Sequence, residues 1–75
     1  MEIQIENILV FATNIKTEND IQKISNILDN HSEIQQWNVD QEDIDCVLRI
    51  ESETLSEGQI IDILDNLNFE CSALE

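Results

Sequence analysis

The order of strand and helix patterns along the chain is the feature that most limits its fold. An apolar, β-branched run over residues 7–15 predicts a strand with apolar side chains on both faces, which is typical of a central strand. Met1, Ile3 and Ile5 alternate with polar residues and could extend this strand toward the N-terminus. Because one glycine, Gly58, and no proline occur, turns must be located from Asn, Asp and Ser.

Two helices are predicted from their capping residues. Thr17 begins the first, since its hydroxyl and the Asp20 carboxylate can form a capping box, and Ser56 with Gln59 begins the second in the same way. Each start is followed by an apolar stripe at helical spacing. The stripe residues are Ile21, Ile24, Ile27 and Leu28 in the first helix and Ile60, Ile61, Ile63, Leu64 and Leu67 in the second.

Three further strands complete the pattern. Residues 34–39 and 45–50 alternate apolar and polar side chains around an acidic turn at 40–43, which predicts a β-hairpin. Asn68 lies where a left-handed C-cap is needed after the second helix, and a short strand through Cys71 and Ala73 follows. The order is therefore β-α-β-β-α-β.

This order predicts an α+β, ferredoxin-like two-layer sandwich. Two amphipathic helices bury their stripes most economically on one face of a four-stranded antiparallel sheet, with strand order 4-1-3-2. The 75 residues allow one small domain, over 1–75. Leu74 and Glu75 could be a cloning remnant, and no function is assigned to them.

Charge limits the partners. The chain carries 17 acidic residues against Lys16, Lys23 and Arg49, for a formal net charge of -14. Repulsion opposes any approach to nucleic acid or to an anionic membrane surface, so neither is an expected partner. No apolar run approaches the ~20 residues of a membrane span, and no signal peptide is recognised.

Cys46 and Cys71 are 25 positions apart and form no CxxC. In the predicted strand order they are separated by two strand spacings, about 10 Å, which is too far for a disulfide. We therefore expect two free, core-facing thiols in a cytoplasmic protein.

The apolar pattern resembles the heavy-metal-associated domain family, the small copper and zinc chaperone modules, over nearly the whole chain. Positions that match the family pattern are Ile15, Ile24, Leu28, Ile34, Trp37, Val39, Cys46, Leu48, Ile60, Ile61, Leu64, Asn68 and Phe69. Related ferredoxin-like families, such as the ACT regulatory domains, remain alternatives. Acylphosphatase is disfavoured because it needs an arginine in its phosphate-binding loop, whereas Arg49 lies on a predicted strand.

The resemblance fails at the metal motif. Thr17 and Asp20 stand where the family has its two cysteines, and their hard oxygen donors do not suit soft copper(I). The metal positions are therefore vacant, and no metal or cofactor is expected. A calcium or magnesium site in the acidic turn would involve Asp40, Glu42, Asp43 and Asp45, but the turn lacks EF-hand spacing, and a solvated loop is the preferred interpretation.

No catalytic constellation is recognised, so the protein is not expected to be an enzyme. His31, the single histidine, lies near a predicted helix end without a nucleophile motif. What remains is the sheet face opposite the helices, where Ile8, Val10, Ala12 and Val47 are expected to be uncovered. We therefore predict a protein-interaction or self-association module that acts through this face or through an edge strand, the second or the fourth. The alternatives are a copper or zinc carrier with a non-standard site and an ACT-like small-ligand sensor.

Overall fold

A computed structural model describes residues 8–74, and its elements follow the predicted order. They are β1 (Ile8–Thr13), α1 (Glu18–Leu28), β2 (Gln36–Asp40), β3 (Val47–Glu51), α2 (Glu57–Asn66) and β4 (Cys71–Ala73). The predicted extension of β1 through Met1, Ile3 and Ile5 lies outside the described residues.

The four strands form one antiparallel sheet in the order β2-β3-β1-β4. This is the predicted order, 4-1-3-2, given from the other edge of the sheet. Central β1 pairs Phe11 with Leu48 of β3 on one side and with Ala73 of β4 on the other. The described part of the chain is therefore an α+β fold that is compatible with the ferredoxin-like architecture.

Both helices pack on the same face of the sheet. Their fully buried side chains join one core with the inward side chains of the two central strands. That core consists of Phe11, Ile15, Ile24, Leu28, Leu48, Ile50, Ile60, Leu64 and Phe69. Ile27, predicted to lie in the buried stripe of α1, is 39% exposed because it lies at the margin of that stripe. The opposite face of the sheet receives neither helix.

Both predicted capping boxes are present. In α1 the Thr17 hydroxyl accepts from the Asp20 N–H at 3.1 Å, while Asp20 Oδ2 accepts from the Thr17 N–H at 3.2 Å. In α2 Ser56 and Gln59 exchange the equivalent bonds. These reciprocal bonds satisfy N–H groups that have no partner inside a helix, so the caps determine where each helix begins.

Among residues 8–74, two adopt a positive φ. Asn68, at φ 69°, follows α2 as predicted, and the next N–H, of Phe69, donates to the Leu64 carbonyl at 3.0 Å. Cys46, at φ 45°, ends the hairpin loop and is not part of β3, contrary to the predicted strand boundary. There Thr13 bonds two successive carbonyls, those of Asp45 and Cys46, so the regular pairing of β1 with β3 ends in a bulge.

Candidate interaction surface

The sheet face without helices holds the four apolar side chains that the sequence singles out. Ile8, Val10 and Ala12 alternate along β1, and Val47 begins the neighbouring strand β3. Ile8 is 40% exposed, and Val10 and Ala12 are half-buried. We call these four residues the apolar strip.

Val47 does not fit the expectation that nothing covers the strip. Its side chain is only 6% exposed. It lies in a strand with paired neighbours on both sides, opposite Asp40 of β2, at the point where the chain leaves the hairpin loop. Ile8, Val10 and Ala12 therefore form the accessible part of the strip, and the expectation of an uncovered Val47 is wrong.

The charges on the open face of the sheet nearly cancel. Strand alternation places three charged side chains on it, Asp40, Arg49 and Glu51, which are two carboxylates and one guanidinium. The whole chain has a net charge of -14. Most of the carboxylates of the described region therefore belong to the helices, which lie on the other side of the sheet, and to the loops.

Thr17 and Asp20, the vacant metal positions, are occupied by backbone contacts. In addition to the capping box, the Lys16 N–H donates to Asp20 Oδ2 at 3.1 Å. This bond, reinforced by those from Thr17, lowers the pKa of the Asp20 carboxyl below its ordinary value. The carboxylate and hydroxyl act as acceptors for the start of the helix, as the sequence predicts.

The acidic turn between β2 and β3 uses its carboxylates in a similar way. Asp40 Oδ1 accepts from the Glu42 N–H at 3.1 Å, and Asp43 Oδ1 accepts from the Asp45 N–H at 2.9 Å. Within residues 8–74, no three His, Cys, Asp or Glu side chains converge in a way that could hold a metal ion. The loop instead presents Ile44, 94% exposed, between Asp43 and Asp45.

An open cleft of about 430 Å³ lies beside the C-terminal end of β1. Three loops that are distant in the chain line the cleft. The loop after β1 contributes Asn14 and Lys16, the loop between β2 and β3 contributes Ile44, and the loop before β4 contributes Glu70. The side chain of Asn14 connects two of these loops, because its Oδ1 accepts from the Glu70 N–H at 3.0 Å. No sequence motif marks this cleft, because the loops that line it are distant in the chain.

The two cysteines lie on opposite sides of β1 and are both free, as predicted. Cys46 is buried and Cys71 is half-buried at the wall of the cleft. Burial removes water from the Cys71 thiol and raises its pKa to about 11. His31 is half-buried, and its Nδ1 accepts from the Glu33 N–H at 3.2 Å, so the histidine stabilises the turn after α1.

One contact joins α1 to the edge of the sheet. The indole Nε1–H of Trp37 donates to Asp29 Oδ1 at 2.8 Å, and the Ser25 hydroxyl donates to Asp29 Oδ2 at 2.8 Å. These two bonds, that of Trp37 first, lower the pKa of the Asp29 carboxyl. Sequence reasoning missed the contact, because a separation of eight residues between a helix end and a strand follows no helical or strand period.

No helix within the described region is both long and apolar enough to cross a bilayer. No protein-family model matches the chain, and neither the curated proteins nor the solved structures contain a match to it.

Proposed function

We propose that this protein is a protein-interaction module with a heavy-metal-associated-like fold that lacks the thiolate pair of that family. Its partner is a basic protein, which it binds through the open face of the sheet. The observation that carries the proposal is the partly exposed apolar strip on a sheet face whose charges nearly cancel, in a chain with net charge -14.

Charge supports a basic partner rather than a second copy. Two copies would bring together two chains of net charge -14, and this repulsion would oppose association at ordinary ionic strength. A basic protein would instead be attracted by the surrounding carboxylates, and the strip would supply the apolar contact at the centre. The copper or zinc carrier has less support, since the oxygens of Thr17 and Asp20 are already used by backbone N–H groups. The ACT-like sensor has less support because it needs two copies with paired sheets, which the same charge repulsion opposes.

Selection from a library of displayed random peptides tests this proposal. We expect the enriched peptides to be rich in Lys and Arg and to lose binding to the Ile8→Ser variant. Ile27→Ser is the matched control, because Ile27 is 39% exposed on α1 while Ile8 is 40% exposed on the sheet. Enrichment without a basic bias, or equal loss of binding in both variants, would contradict the proposal. Light scattering that finds a stable dimer would favour self-association instead.

A further inference from the structure

The backbone of β2 has unused hydrogen-bonding groups, and their direction follows from the pairing of the other strands. The Leu74 N–H donates to the Val10 carbonyl at 2.9 Å, so the backbone groups of Val10 point toward β4. Along a strand, the N–H and C=O groups of successive residues point to opposite sides. The backbone groups of Phe11 therefore point toward β3, where Phe11 pairs with Leu48. In β3, therefore, the groups of Leu48 point toward β1.

The same alternation reaches the edge of the sheet through the next pair. Arg49, which follows Leu48, points its backbone groups toward β2, where its partner is Asn38. Trp37 and Val39, on either side of Asn38, therefore point their N–H and C=O groups away from the sheet. Because β2 is the last strand on this side of the described sheet, these groups are a template for one more strand.

The charge around this edge determines what kind of strand can be added. From residue 24 to residue 48 the chain has no Lys or Arg, and it has six carboxylates. They are Asp29, Glu33, Asp40, Glu42, Asp43 and Asp45. Pairing β2 with the β2 of a second copy would place two such sets side by side, which like-charge repulsion opposes. Arg49 of β3 lies beside the centre of β2, opposite Asn38, so an extended segment rich in Lys or Arg would meet opposite charge mainly at the two ends of β2, near Glu33 and near Asp40 and Glu42.

The other edge of the sheet is a poorer template. β4 has three residues, whereas β2 has five. Lys16 lies at the cleft that borders the start of β4, so that edge is not surrounded by carboxylates alone. Neither Lys nor Pro, which commonly protect edge strands, occurs in β2.

We propose that β2 binds a basic extended segment of the partner as an additional strand, through the backbone groups of Trp37 and Val39. This inference rests on the proposed function, since a strand beside β2 extends the sheet whose open face holds the apolar strip. Backbone bonds would supply the pairing, and the carboxylates would select basic sequences.

Amide hydrogen exchange measured by NMR tests the proposed pairing, with a synthetic peptide of alternating lysine and valine as the probe. In the free protein the Trp37 and Val39 amides should exchange faster than that of Asn38, which bonds within the sheet. Saturating peptide should slow Trp37 and Val39 about tenfold or more and leave Asn38 nearly unchanged. Trp37, the single tryptophan, also reports binding through its fluorescence.

Two triple variants with the same change in net charge provide the control. Glu33→Gln with Asp40→Asn and Glu42→Gln removes carboxylates near β2, and should weaken the peptide Kd roughly tenfold at low salt. Glu57→Gln with Asp62→Asn and Asp65→Asn removes the same charge from α2, and should change the peptide Kd less than about twofold. Equal effects of the two triple variants, no peptide binding, or binding without slower exchange at Trp37 and Val39 would overturn the inference. If that happened and the selected basic peptides still lost binding to the Ile8→Ser variant, the proposed function would stand although the pairing with β2 was wrong.

Discussion

At the scale of single residues, the contact between Trp37 and Asp29 has a consequence that depends on pH. A carboxyl whose pKa is lower in the folded than in the unfolded chain stabilises the fold above its unfolded pKa, which is about 3.9. That contribution is lost as the pH falls through the lower, folded pKa. For Asp29 the indole bond is the largest cause of the lowering, and the Ser25 bond adds to it.

Replacing the indole therefore tests the contact. In Trp37→Phe the donor to Asp29 Oδ1 is lost, and we expect the pKa of Asp29 to rise toward its ordinary value in an NMR titration of the carboxyl carbons. Asp20 is the internal control, because its lowered pKa comes from the Lys16 and Thr17 contacts. An unchanged pKa at Asp29, or an equal rise at Asp20, would show that the indole bond is not the cause.

At the scale of secondary-structure elements, the start of α1 tests the resemblance to the metal-binding family. The double variant Thr17→Cys with Asp20→Cys removes both halves of the capping box, so we expect the free energy of unfolding without metal to fall by about 1–2 kcal/mol. It also restores two thiolates at the family spacing, so copper(I) should bind and recover the lost stability. Denaturant unfolding with and without copper(I) measures both effects.

Oxygen-bearing replacements control for this experiment. Thr17→Ser with Asp20→Asn keeps acceptors at both positions, and should retain most of the stability without gaining copper affinity. If the double-cysteine variant bound no copper(I), the resemblance would not extend to the geometry of this loop.

The elements themselves could be predicted because their signals are local. Thr17, Ser56 and Asn68 each act on backbone groups within a few residues, so sequence spacing alone indicates their role. Strand alternation likewise identified the inward side chains of the central strands, Phe11 and Ile50 among them. Boundaries were less accurate, as the left-handed conformation of Cys46 illustrates, because a bulge depends on how two strands meet.

At the scale of the whole molecule, net charge should govern stability. With a charge of -14, mutual repulsion of the carboxylates opposes the compact state. Sodium chloride shortens the Debye length from about 30 Å at 0.01 M to about 3 Å at 1 M, so Tm should rise over this range. Calorimetry at several salt concentrations measures the rise.

A single charge reversal separates screening from other effects of salt. Asp62 is exposed on α2, and Asp62→Lys should raise Tm at low salt by more than it does at high salt. A Tm that did not depend on salt would contradict this account. So would an increase in Tm from Asp62→Lys that was as large at high salt as at low salt.

The surface could be predicted less completely than the core. The burial of Val47 depends on neighbours from two other strands, and the cleft depends on three loops that meet only after folding. The composition shows that the molecule is acidic, but the near-neutral balance of charges on the open sheet face follows only from the pairing of the strands. Such features are set by tertiary structure, which residue patterns indicate only indirectly.

The desolvated Cys71 has a consequence for chemical ageing. The thiolate is the form of cysteine that attacks oxidants and alkylating reagents, and with a pKa of about 11 only about one in ten thousand Cys71 side chains is ionised at pH 7. Cys46 is shielded by its surroundings. Peroxide and alkylating reagents should therefore modify this protein more slowly than a protein with an exposed cysteine of ordinary pKa.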